Sequence, residues 1–150
     1  MPPPEHEKKA VSWYERAFQD WRDAQAVARE EPDSPNSVWL VQQAVEKALK
    51  SILVLHKIRF RKMHDLEALR LLLPKSYRLK TVPKDLSVLS QRGMESRYPG
   101  EYDPIEEKDV KLALRLGTKV MELLEKEFDP YALHGIEPAT SEPYSRKPVR

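Results

Sequence analysis

Two short stretches carry side chains whose types and spacing could do chemistry. KIRFRKMH, residues 57–64, sets Lys57, Arg59, Arg61, Lys62 and His64 around one aromatic, Phe60. Such a set can clamp a phosphate, because Arg offers a planar fork of donors and Lys a mobile point charge. The plainer alternative is a solvated connection whose cations complement the dipole at the end of a preceding helix. The second stretch is Arg97-Tyr98-Pro99, between the end of one expected helix and the start of the last. An Arg and a Tyr beside exposed helix N–H groups would suit an anionic ligand or the acidic face of a partner. Equally, Tyr98 could plug the end of a bundle while Arg97 pairs with a nearby Glu.

Other chemistries are excluded or unsupported. The chain has no cysteine, so disulfides, thiolate chemistry and Cys-based zinc sites are impossible. Its four histidines are His6, His56, His64 and His134, and none forms the Glu-x-x-His pair with which helical bundles hold metal. No metal and no cofactor is therefore expected. Four glycines in 150 residues leave little backbone for phosphate-cradling loops. The net charge of +2 gives no general case for nucleic-acid binding, so any such contact needs a local patch. No apolar run is long enough to cross a membrane and the opening MPPPEHEKKA lacks signal-peptide features, so a cytoplasmic protein without membrane contact is expected.

The elements that must position these residues read as helices throughout. In VWLVQQAVEKALKSILVLH, residues 38–56, Val38, Val41, Val45, Ala48, Leu49, Ile52 and Leu55 recur at spacings of three and four, which makes one broad core face of a central helix. Its other side, with Gln42, Gln43, Glu46, Lys47 and Lys50, reads at first as a solvated face. Ser34-Pro35 supplies an N-cap followed by proline at the first helical position. Before it, Ala10, Tyr14, Ala17, Trp21, Ala24 and Ala28 stripe a first helix that follows a loose Pro-rich lead over residues 1–7. After it, Asp65 can cap a brief helix through Leu66, Leu69, Leu72 and Leu73 that Pro74 ends. Val82, Leu86, Leu89 and Gly93 then mark a further helix. Asp103, Pro104 and Glu106 signal the start of the last, with Val110, Ala113, Leu114, Gly117, Val120, Met121, Leu124 and Phe128 on its apolar stripe and Asp129-Pro130 as its stop. The Pro-rich tail, residues 129–150, is expected to be disordered or draped on a partner. No strand pattern stands out, so the expected fold is all-α, an antiparallel up-and-down bundle of four to five helices over residues 8–128.

Taken in order, VQQAVEKALKSILVLH, HDLEAL, SRYPG and the long amphipathic last helix resemble the HEPN domain family over about residues 8 to 128. The resemblance implies a bundle that commonly dimerises and often accompanies a minimal nucleotidyltransferase, frequently as a toxin–antitoxin pair. Some members are metal-independent endoribonucleases; others are non-catalytic nucleotide-binding or interaction modules. The ribonucleases carry an Arg, four to six intervening residues and a His near the last helix. Arg97 matches that Arg, but Tyr102 stands five residues on and no histidine follows before His134. A phenol is a poor substitute for the neutral-pH acid or base that His supplies. Arg59 and His64 also have an Arg-x4-His spacing, but they fall in the connection after the central helix, where the family's catalytic pair does not lie; His64 there reads as a brace.

The resulting expectation is a non-catalytic HEPN-like homodimer that binds a nucleotide, RNA or a nucleotidyltransferase. Its ligand-binding residues would be Arg97, Tyr98, Gln43 and Lys47 in one groove, with Arg59, Arg61, Lys62 and His64 as a second anion site. The competing expectations are an endoribonuclease toxin using Arg97 with Tyr102 or His64, and a structural dimerisation module whose partner engages the tail. Dimerisation would use spare apolar surface on the first or last helix.

Overall fold

Ser34 caps the central helix as its sequence requires: its hydroxyl accepts from the Asn36 N–H at 3.2 Å and Pro35 follows as the first helical residue. The computed structural model describes residues 4–75 and 85–128. Over these the chain is all-helical with five helices: α1 (Glu5–Glu30), α2 (Pro35–Leu55), α3 (Leu66–Leu71), α4 (Asp85–Glu95) and α5 (Glu107–Phe128). α1 begins earlier than its stripe suggested, so residues 5–7 of the expected loose lead form its first turn, where Glu5 and Glu7 suit the positive end of the dipole. Val82, and the tail from residue 129 with His134, lie outside the described residues.

α2 is the axis of the bundle. Val38, Val41, Ala44, Val45, Ala48, Leu49, Ile52 and Leu53 are all buried in the core it shares with every other helix. Two buried hydroxyls stitch it to α1: Ser37 Oγ donates to the Ala24 carbonyl at 3.0 Å and Ser51 Oγ to the Ala10 carbonyl at 2.8 Å. The two pairings run in opposite senses along the chain, so the helices are antiparallel. Tyr14 of α1 stacks near Phe128 of α5 with ring centroids 4.8 Å apart, while Gly117 of α5 lies against Trp21 of α1 and Val41 of α2. A side chain at Gly117 would collide with the Trp21 ring, so glycine here sets how closely α5 approaches α1. α4 meets α2 in the same manner, because a Cβ at Gly93 would stand 2.7 Å from Gln42 Cβ. The four long helices therefore run up, down, up and down, with α3 crossing between α2 and α4.

One boundary differs from the sequence expectation. The last helix starts at Glu107 rather than beside Pro104, and its entry is closed by the Glu106 N–H donating to Asp109 Oδ2 at 2.8 Å. The side chain three residues into the helix thus satisfies an orphan N–H. Asp103 and Pro104 are left free to offer their carbonyls elsewhere.

Candidate functional site

The polar side of α2 is not a solvated face. Gln42, Glu46 and Lys50, spaced by four, are 3%, 5% and 6% exposed. Glu46 Oε2 accepts from Lys50 Nζ at 2.8 Å and from His64 Nδ1 at 3.0 Å, and Gln42 Nε2 donates to the other Glu46 oxygen at 3.3 Å. The Lys50 ammonium also lies over the rings of Trp13 and Phe60, 5.6 and 5.9 Å from their centroids. The charges are tolerated because each is paired and hydrogen-bonded. A carboxylate only accepts, so His64 Nδ1 is the donor in this contact; the His64 side chain is 70% exposed.

What covers these three residues is the connection after α2. It leaves the helix by a Schellman turn: Ile58 N–H donates to the Leu53 carbonyl at 2.9 Å, Lys57 N–H to that of Val54 at 3.0 Å, and Lys57 is left-handed with φ 58°. From there Ile58, Phe60 and Met63 pack on the core, while Lys57, Arg59, Arg61, Lys62 and His64 are exposed. The connection ends where the His64 carbonyl accepts from Gln42 Nε2 at 3.3 Å and Ser90 Oγ at 3.5 Å, and Asp65 Oδ1 then caps α3 through the N–H groups of Glu67 and Ala68. His64 thus ties the connection to Glu46 while its ring remains exposed.

Arg97 lies just beyond α4, and its guanidinium sits 4.5 Å from the centre of the Trp39 ring of α2. It has no carboxylate partner among the described residues, and Tyr98 is 49% exposed, so neither plain alternative for this pair holds. Tyr98 and Tyr102 meet edge to face with centroids 6.3 Å apart. Trp39 also walls a cleft of about 600 Å³ between α2, α3 and α4, with Gln43, His64, Ser90, Gln91 and Met94 around it. Trp39 thus carries the Arg97 guanidinium over its ring and shares a cleft with Gln43 and His64. Lys47, one turn beyond Gln43, does not line this cleft: its ammonium pairs with Asp20 of α1 at 2.5 Å, which corrects its expected place in the groove. Tyr102 lines a separate cleft with Arg92, Asp103 and Asp109, away from His64.

Arg92, which sequence reasoning passed over, holds the Arg97 loop in place. Its Nη1 donates to Glu95 at 2.9 Å and to the Asp103 carbonyl at 3.0 Å; its Nη2 reaches the Pro104 carbonyl and Asp109 Oδ2, both at 3.2 Å. Burial alone would push this guanidinium down, but the bonds and charges of Glu95 and Asp109 outweigh it and raise it above its ordinary value. Arg92, with Gln91, in turn holds the Glu95 carboxyl below the usual range. The signal available in sequence was Arg92-x-x-Glu95, a common helix-surface pair that does not reveal bonds to a distant loop.

No group of three His, Asp or Glu side chains among the described residues could hold a metal ion. None of the described helices is long and apolar enough to cross a membrane.

The up-and-down helical bundle, with α3 crossing between α2 and α4, is the fold of a known class. The chain belongs to the HEPN domain family, whose model matches residues 10–127. Among solved structures it is similar to TT1696 from Thermus thermophilus, at 24% identity and a TM-score of 0.68 over 80% of this chain and 98% of that one. It is similar too to ST0689, described as an archaeal HEPN homologue, at 22% identity and a TM-score of 0.62 over 79% and 97%. These likenesses show the fold. No curated protein matches the chain.

Proposed function

We propose that this HEPN protein binds the phosphate of a nucleotide or RNA without cleaving it, at the side of the bundle where Arg97 meets Trp39. The observation that carries the reading is the Arg97 guanidinium: stacked on an indole, it is oriented, and with no carboxylate partner among the described residues its N–H groups are available to an anion. Exposed Tyr98 and Tyr102 offer ring faces on which a base can stack. A homodimer, and a complex with a minimal nucleotidyltransferase, are the assemblies in which the family resemblance sets such a module. Binding of ATP and of a short RNA is measured for the wild type and Arg97→Ala; the variant is expected to lose at least tenfold for both. Equal affinity of the two proteins would sink the reading.

A second reading, a metal-independent endoribonuclease, is favoured by one observation. The Glu46 carboxylate holds His64 by its Nδ1 and His64 lines the Trp39 cleft, the arrangement of an imidazole oriented for acid–base work. RNA cleavage in EDTA by the wild type, Arg97→Ala and His64→Ala separates the two. Activity lost in both variants supports the enzyme, whereas no activity, or the same activity in all three, supports a binding module.

A further inference from the structure

The connection after α2 retraces that helix. Lys57 stands at its C-terminal end, Phe60 lies beside Lys50, and His64 is bonded to Glu46 and Gln42. Next along the same helix comes Trp39, which lines a cleft with His64 and carries the Arg97 guanidinium over its ring. The exposed cations therefore form a file, Arg97, Lys62, Arg61, Arg59 and Lys57, with His64 within it. At 1.5 Å of rise per residue, the file follows α2 for about 24 Å between Trp39 and Leu55.

Its uniform sign has a structural cause. Ile58, Phe60 and Met63 are anchored on the core, and the cations between them are left pointing out. None of Lys57, Arg59, Arg61, Lys62 and Arg97 has an ion-pair partner among the described residues. Acidic groups along α2 and the connection are engaged: Glu46 with Lys50 and His64, Asp65 with the start of α3, Glu67 with Arg70 and Glu127 with His56. A chain with a net charge of only +2 thus keeps a run of unneutralised cations on one side.

We infer that the ligand is a single-stranded polynucleotide rather than a free nucleotide, its backbone running from the Arg97–Trp39 site along the residue 57–62 connection. A mononucleotide is too short to use the file, whereas a strand places several successive phosphates along it. Aromatic rings at Trp39 and Tyr98 beside the cations suit bases, which a lipid surface would not supply. The inference rests on the Arg97 reading above, with the connection as its own addition.

The test uses the full chain, a 20-mer of uridylate, the matching thymidylate 20-mer and UMP, with fluorescence anisotropy or calorimetry across a range of salt. Arg59→Gln/Arg61→Gln/Lys62→Gln, checked for unchanged circular dichroism, is compared with the wild type and Arg97→Ala. The wild type is expected to bind at least one 20-mer tenfold or more tighter than UMP; no gain over UMP for either overturns the strand. The triple variant is expected to weaken 20-mer binding at least tenfold, to flatten the slope of log K against log salt by about 2, at roughly 0.7 per phosphate contact, and to weaken UMP binding far less. An unchanged 20-mer affinity and slope in the triple variant overturns the inference, even if Arg97→Ala still weakens UMP. Loss of neither ligand in Arg97→Ala refutes the groove reading instead. Binding to phosphatidylserine vesicles, with none to either 20-mer, overturns the strand in favour of a membrane surface.

Discussion

Glu46 shows how one side chain serves both the fold and the candidate site. It neutralises a buried ammonium on one side and orients an exposed imidazole on the other. Removing it leaves Lys50 buried among Trp13 and Phe60 without its counter-ion, so Glu46→Ala is expected to cost about 3–5 kcal/mol in urea unfolding. Adding Lys50→Met should restore much of that loss, because an apolar chain of similar volume needs no partner. A double variant no more stable than Glu46→Ala would contradict this account of the pair. Arg97 is a different case: its stack on Trp39 is exposed, and such a contact contributes about 0.5–1 kcal/mol. Arg97→Ala should accordingly unfold within about 1 kcal/mol of the wild type, which keeps its binding defect interpretable.

At the scale of elements, the two loops that carry the candidate site are held by different devices. The α2–α3 connection is held by its turn and by its apolar anchors, with Lys57 in the left-handed region where a side chain is strained. Lys57→Gly should raise stability by about 0.5–1 kcal/mol while weakening polynucleotide binding, opposite signs that unfolding and anisotropy measurements read separately. The α4–α5 loop is held by Arg92. Because Glu95 titrates below its usual range in the folded chain, its contribution is complete above the unfolded carboxylate value near 4.3 and is lost as pH falls through the lower folded value. The stability gap between wild type and Glu95→Gln should therefore be present at pH 7 and narrow by pH 3, while Arg92 stays charged throughout. A gap of constant size would mean that the carboxylate charge does not close this loop.

For the molecule as a whole, the distribution of apolar surface bears on where a partner could dock. Among the described residues the exposed large hydrophobic side chains are Leu71, Leu72, Val88, Met94, Tyr98 and Tyr102, on α3, α4 and the loop beyond it. On α1 and α5, Trp13, Leu112, Leu114 and Leu123 are only partly buried. A ligand held by Arg97 and the connection bridges α2, α3 and α4 and binds only the folded chain. At 100 times its dissociation constant it should add about 2.7 kcal/mol, read as a rise in Tm that Arg97→Ala abolishes.

The helices and their order were legible in the sequence because each buries one stripe, and a stripe repeats at the helical period whatever lies opposite. Ser34, Pro35 and Asp65 were legible for a related reason: a cap acts on N–H groups two or three residues away. Arg97 could be named from its motif, and the basic composition of residues 57–64 from inspection. What covers a polar face cannot be read locally. Gln42, Glu46 and Lys50 resemble a solvated face until the connection folds back over them, and Lys47 looks equivalent to Gln43 until Asp20 of α1 claims it. The start of α5 slipped by a few residues because Arg92, distant in sequence, takes the Asp103 and Pro104 carbonyls and Asp109 caps in their place. Periodicity and capping are short-range, and the sequence alone determined them. Which charges are neutralised, and which are left facing a ligand, depends on contacts between helices, and only the tertiary structure decided it.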